Sequence, residues 1–298
     1  MITLTKEFKQ KVLEALLKAR QNFDGNDGIF AHQYRIHASV FSRLKNGEID
    51  GLLEDVKWLM IGRRLGVAAD ERKWNVARTE VFEAIEHEVL FCQKHAKARV
   101  FVDDCGIGKT FTAKYLSRTL KNCFYVDASQ AKSKQLFIRL LARTLGVDHR
   151  GRCFDVRDSV LYCIQALPKP IIIIDEAGDL DYPAFLELKA LWNATEGACG
   201  WFMMGADGLR TKIDSGINSM RVGFREIFSR FSEKYANVVP VGKAERIDFY
   251  KKLITDVLLV NAPDKKAVPT IVKKCLIQQD GNIGGLRRAE SLLILENS

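Results

Sequence analysis

A lysine and a threonine at the end of a glycine-rich turn are suited to holding phosphate. The segment Val102-Asp103-Asp104-Cys105-Gly106-Ile107-Gly108-Lys109-Thr110 ends in that way. In a strand–loop–helix context, the loop amides and the start of the helix converge on a polyphosphate. Gly106 and Gly108 let the backbone approach closely. Lys109 would reach the outer phosphates as a point charge, and Thr110 would offer its hydroxyl to Mg²⁺. Gly106, Ile107, Gly108, Lys109, Thr110 and Phe111 are therefore the expected nucleotide contacts, with ATP and Mg²⁺ as cofactors. The acidic half follows at Asp175-Glu176, directly after four isoleucines. A buried strand ending this way sets Asp175 beside the metal, and Glu176 can polarise an attacking water as general base. The full motif begins with glycine, whereas Asp103 stands there, followed by Asp104. Their negative charge should weaken polyphosphate binding unless the carboxylates face away or meet a cation.

Three further positions suit such a site. Arg230, in Phe228-Ser229-Arg230-Phe231, is placed to reach a neighbouring subunit's γ-phosphate, with Arg225 as a competitor. Arg287, in Gly284-Gly285-Leu286-Arg287, opens a helix and can fold back on the nucleotide. Asp207, just past an apolar run, is placed to watch the γ-phosphate or the water. Each also has an ordinary reading, as a solvated arginine or as loop chemistry.

These residues need a scaffold. Short β-type runs at 99–102, 123–127, 171–175, 201–205 and 237–241 alternate with helical segments. That alternation predicts an α/β fold with a parallel sheet covered on both faces. The stretch to residue 67 reads as helical, with helices at 30–35, 39–46 and 52–65; Val56, Leu59, Met60 and Leu65 form the apolar face of the last. Polar residues 66–73 read as a linker, and the helical period returns over 74–95. After residue 243 the chain is helical again. The expected organisation is a small all-α domain at 1–67, a nucleotide-binding core at 74–242 and a helical lid at 243–298.

The front end carries a second signal. Residues 30–47 resemble the helix-turn-helix of phage-repressor type, with Ala31 at the small position and Ile36 at the apolar turn position. In that reading Ser39, Ser42 and Arg43 face base edges or phosphates, and Lys45 faces the backbone. The alternative is a plain helical bundle docked on the core.

The formal net charge of +9 favours phosphate-bearing partners, although no run of like charges forms a basic tail. Seven cysteines without C-x-x-C spacing argue against zinc and against a disulfide framework. The N-terminus lacks a signal-peptide pattern, and no apolar run approaches the roughly 20 residues of a membrane span. The expected location is the cytoplasm, with no membrane partner.

In this order, the loop at 103–110, the strand ending in Asp175-Glu176, the Ser229-Arg230-Phe231 element and the Gly284-to-Arg287 element resemble the AAA+ ATPase family. The resemblance implies a P-loop core with a five-stranded parallel sheet, a helical lid and subunits that sandwich ATP. With the repressor-like front end, the whole is similar to AAA+ transposition regulators of the phage Mu B type, related to the IstB and TnsC regulators. That implies an oligomer or filament on double-stranded DNA and a transposase or related recombination protein as partner. Lys132, Lys134, Arg139, Arg150 and Arg152 are candidate DNA contacts between the second and third strands, although taken one by one a solvated surface charge is the more ordinary reading. A helicase-loader-type ATPase and a nucleotide-gated switch share the same core motifs and remain alternatives.

Overall fold

The computed structural model describes residues 4–67, 74–277 and 283–296. The expected linker and the boundary near residue 70 lie largely outside them. The chain starts with α1 (Lys6–Gln21), α2 (Asp27–Gln33), α3 (Ala38–Lys45) and α4 (Asp55–Leu65). The caps explain the starts: the Thr5 side chain accepts from the Phe8 amide, and the Asn26 side chain accepts from the Ile29 amide. The latter fixes the start of α2 three residues before the expected one.

The face expected for α4 holds for Leu59 and Leu65, which pack partly buried against the core, and fails for Val56 and Met60. Trp58, Ile61 and Gly62 are buried, whereas Val56 is 55% and Met60 52% exposed. The indole of Trp58 has more apolar surface to hide than any other side chain on the helix, and its face wins. Gly62 lets α4 approach α1 closely: a Cβ there would lie 3.0 Å from Val12 and 3.1 Å from Phe8.

The next elements are α5 (Glu80–His95), β1 (Ala98–Val102), α6 (Lys109–Thr119), β2 (Cys123–Asp127), α7 (Lys134–Leu145) and α8 (Cys153–Ala166). Then come β3 (Ile171–Asp175), α9 (Tyr182–Ala194), β4 (Gly200–Gly205), α10 (Asp207–Asn218), α11 (Phe224–Arg230) and β5 (Tyr235–Ala236). The last helices are α12 (Lys243–Asn261), α13 (Val268–Leu276) and α14 (Leu286–Glu296). Helix α5 starts only at Glu80, because the Thr79 side chain caps it by accepting from the Phe82 amide. Residues 74–79, expected as helix, precede that cap in irregular conformation.

The five strands pair in parallel in the order β2-β3-β4-β1-β5. Alternate residues supply the two faces. Val100, Val102, Ile172, Ile174, Trp201 and Met203 join a core with α1–α4 and α7–α11. Phe101, Ile171, Ile173, Phe202 and Met204 join the opposite core with α5, α6 and α12–α14. The front-end helices therefore share one apolar cluster with the sheet. Gln33 of α2 also donates to the Leu145 carbonyl at the end of α7 (3.2 Å).

The last strand is displaced from its expected place. It is Tyr235–Ala236, opposite Val100 and Phe101, and not 237–241. The amides of Val238 and Val239 donate to the Asp103 side chain (2.6 and 3.1 Å). A carboxylate thus takes the place of the β-ladder beyond Ala236.

Candidate nucleotide site

The carboxyl ends of β1 and β3 carry the loop and the acidic pair, with β4 between them. Ligands of open α/β sheets bind at such ends. Gly106 (φ 74°) and Gly108 (φ 102°) adopt the left-handed conformation that turns the loop into α6. The four isoleucines of β3 are fully buried between the sheet's two covered faces, which fixes Asp175 at 2% exposure.

The functional side chains are bonded to one another. Thr110 Oγ1 donates to Asp175 Oδ2 at 2.7 Å, and the Tyr125 hydroxyl donates to the same oxygen at 2.8 Å. The other oxygen, Oδ1, accepts from the Glu176 amide at 2.9 Å. Burial and the Asp175 charge push the Tyr125 phenol well above its ordinary range, so it remains a donor. The Thr110 hydroxyl and the Asp175 carboxylate are hard oxygen donors side by side, which fits Mg²⁺. Among the described residues no cluster of three or more His, Cys, Asp or Glu could hold a metal by itself.

Lys109 is buried. Its ammonium donates to the carbonyls of Asp103 (2.7 Å) and Asp104 (2.5 Å). Burial lowers its pKa, opposed by Cys105, Asp103, Glu176 and Asp175. Glu176 sits at φ 50°, a left-handed position that is strained for a residue with a Cβ. Its carboxyl is raised above the ordinary range, first by desolvation and then by the Asp175 charge, against the pull of Lys109.

A cavity of about 400 Å³ opens over this loop. Thr110, Phe111 and Glu176 line it from the core, and Leu286 and Arg287 line it from α14. Arg287 thus lines the same cavity as the loop. Asp207 does not: it is exposed at the first turn of α10 and lies outside that lining. Sequence reasoning missed Trp74 and Asn75, which close the cavity from the segment read as helix. The Asn75 amide donates to Asn261 Oδ1 (2.6 Å), and Asn261 Nδ2 donates back to the Asn75 carbonyl (3.1 Å). That reciprocal pair ties the segment to α12, and nothing in the local pattern of the sequence announced it.

Both aspartates of the loop avoid the phosphate cradle. Asp103 spends its side chain on the amides of Asp104, Val238 and Val239. Asp104 meets the Arg246 guanidinium and the Tyr250 hydroxyl of α12.

Residues 93–213 match a family described as an AAA domain. An AAA ATPase domain is present. It runs from within α5 to within α10 and contains the loop, Asp175 and Glu176. An AAA domain implies binding of ATP, typically with Mg²⁺, and nucleotide hydrolysis. The match covers less than half of the chain and leaves out the front-end helices and α12–α14. No curated protein matches the chain. Among the described residues no helix is long and apolar enough to cross a membrane.

Outside the AAA cavity the expected positions divide. Arg230 Nε donates to Asn193 Oδ1 (2.7 Å), its Nη1 donates to the Glu226 carbonyl (2.9 Å), and it lies over Trp192. Arg225 is exposed on the same helix. On α3, Ser39, Ser42, Arg43 and Lys45 are exposed while Ala31 and Ile36 are buried. His37 Nδ1 lies 2.7 Å from Ser39 Oγ, Arg43 pairs with Glu48 (2.7 Å) and Lys45 pairs with Asp27 (2.6 Å). Lys132 pairs with Asp179 (3.2 Å). Lys134 and Arg157 share the buried Glu187 (2.8 and 2.5 Å). The guanidinium of Arg139 donates to the carbonyls of His149 and Gly151. Arg150 and Arg152 are exposed, with no ion pair among the described residues.

Proposed function

We propose that this protein is an ATP-dependent DNA-binding AAA+ ATPase of the Mu B, IstB and TnsC kind. It assembles on target DNA and regulates or recruits a transposase. The observation that carries the ATPase half is the Thr110–Asp175–Tyr125 network beside Lys109. Support for the DNA half is the compact α2–α3 pair, whose exposed face carries Ser39, Ser42 and Arg43, together with Arg150 and Arg152 on the core.

In this reading Lys109 leaves the loop carbonyls and takes the outer phosphates. Thr110 and Asp175 hold Mg²⁺, which supplies charge neutralisation at the phosphates. Glu176, with its raised pKa, accepts the proton of the attacking water. Arg287 contacts the nucleotide from the lid side, and Arg230 of one subunit completes its neighbour's site. DNA is held through phosphates, so binding is salt-sensitive and weakly sequence-specific.

The test is fluorescence anisotropy of a random-sequence duplex with no nucleotide, ADP, ATP and a slowly hydrolysed ATP analogue, at two salt concentrations. Binding is expected only with ATP or the analogue, and it should weaken with salt. Binding that ignores nucleotide, or none at all, would turn the ATPase toward a protein partner such as a helicase ring.

A further inference from the structure

Asp104 lies one residue past the start of a phosphate-binding loop, and its carbonyl already holds the Lys109 ammonium at 2.5 Å. A free carboxylate on that residue would stand close to a bound polyphosphate. At close range like charges repel. The structure shows what restrains it. Asp104 Oδ2 accepts from the Arg246 guanidinium and, at 2.6 Å, from the Tyr250 hydroxyl. Both donors stand on α12, outside the residues that match the AAA domain. Tyr250 is 3% exposed, and burial together with Asp104 pushes its phenol up, so it stays a donor. Its neighbour Asp103 is fixed independently by backbone amides and needs no cation.

The loop is also tied to the start of α14. The Leu286 amide donates to the Gly106 carbonyl at 2.8 Å, and a Cβ on Gly285 would meet that carbonyl oxygen at 2.8 Å. The lid helices and the loop therefore touch at two places, one through backbone and one through charge.

We propose that Arg246 is a positioning residue for the nucleotide, with Tyr250 in support. It neutralises Asp104 and turns its carboxylate toward α12, and ATP affinity depends on that restraint. The proposal rests on the P-loop reading above. The loop can carry an aspartate because the lid supplies the counter-charge. When α12 moves away, the carboxylate is released and repels the phosphates. Nucleotide affinity and lid position are thereby coupled through one ion pair.

Equilibrium binding of ATP, ADP and adenosine to the full chain, read by calorimetry, tests this. Arg246→Ala should weaken ATP binding on the order of tenfold, ADP less, and adenosine little, because the repulsion acts on phosphate charge. Adding Asp104→Asn to that variant should restore most of the affinity. Asp104→Asn alone should bind ATP at least as tightly as the parent, and Tyr250→Phe should resemble Arg246→Ala with a smaller loss. Three results overturn the proposal: unchanged affinity in Arg246→Ala, no recovery in the double variant, or equal losses for ATP and adenosine. Should Arg246→Ala not fold, weaker ATP binding by Asp104→Asn alone also overturns it. Lys109→Ala reports separately on the underlying P-loop reading, since full affinity there removes the site itself.

Discussion

The nucleotide end of the sheet and the exposed face of α3 use similar residue types, yet they are wired differently. At the sheet end Thr110 and Tyr125 both bond to Asp175, 65 and 50 residues away in sequence. On α3 the polar side chains find partners close by in the chain: Arg43 with Glu48, Ser39 with His37, and Lys45 with Asp27. Long-range bonding among polar groups is held in place by the whole fold, and it preorganises a site before any ligand arrives. Local pairs on a surface contribute little and exchange readily with another partner. The first pattern is suited to chemistry and the second to a surface that trades its own ion pairs for phosphates.

The sharpest way to break this comparison is Lys109→Ala. The ammonium is buried against the carbonyls of Asp103 and Asp104 at the base of the loop, so ATP binding and ATP-dependent DNA binding should vanish together when it is removed. Retained ATP affinity in a nucleotide titration would show that the interlocked network serves folding only. Next is Arg230→Ala. Its bonds to Asn193 and the Glu226 carbonyl are solvent-exposed, so the monomer should fold and bind ATP normally. Turnover that depends on assembly should fall by about 10³-fold, the scale of an arginine supplied between subunits. If turnover at high protein concentration is unchanged, Arg225 becomes the candidate. Glu176→Gln should bind ATP and lower turnover by about 10²-fold or more. A general base must be ionised to act, and the Glu176 carboxyl is raised. Wild-type turnover should therefore decline on acidification at a higher pH than an unperturbed carboxylate would allow, and the Gln variant should lack that limb. A pH profile shared by both enzymes would remove Glu176 from the base role.

Much of the nucleotide end was legible because its signals are local. Four isoleucines followed by Asp175 can hardly be anything but a buried strand running into a carboxylate, and Gly106 and Gly108 mark the turn on their own. Arg287 stood out in the sequence because its glycine pair precedes a helix. The misses come from partners distant in sequence. Asp103 takes the amides of Val238 and Val239, so the last strand ends before the run that reads as its continuation. Asn261 holds Asn75, so residues 74–79 reach the cavity instead of extending α5. Trp58 outcompetes Val56 and Met60 because α1 offers it a place to pack. The sequence also posed the question of Asp104 without its answer, since Arg246 lies 142 residues away.

The smallest effect separates the basic residues that the sequence treats as equal. Lys134 is held by Glu187, a carboxylate 5% exposed that it shares with Arg157. Removing one of its two cations leaves the buried carboxylate less well compensated. Lys134→Ala should therefore lower the melting temperature and change DNA affinity little at temperatures where the variant is folded. Arg150 and Arg152 are exposed with no ion pair among the described residues, so no ion pair is lost with them. Replacing both with alanine should leave the melting temperature unchanged. In the ATP state it should reduce the slope of log affinity against log salt by about 2, one for each arginine that no longer meets a phosphate. An unchanged slope would move the DNA path off this loop and back toward α3, where Arg43→Ala is then the variant to measure.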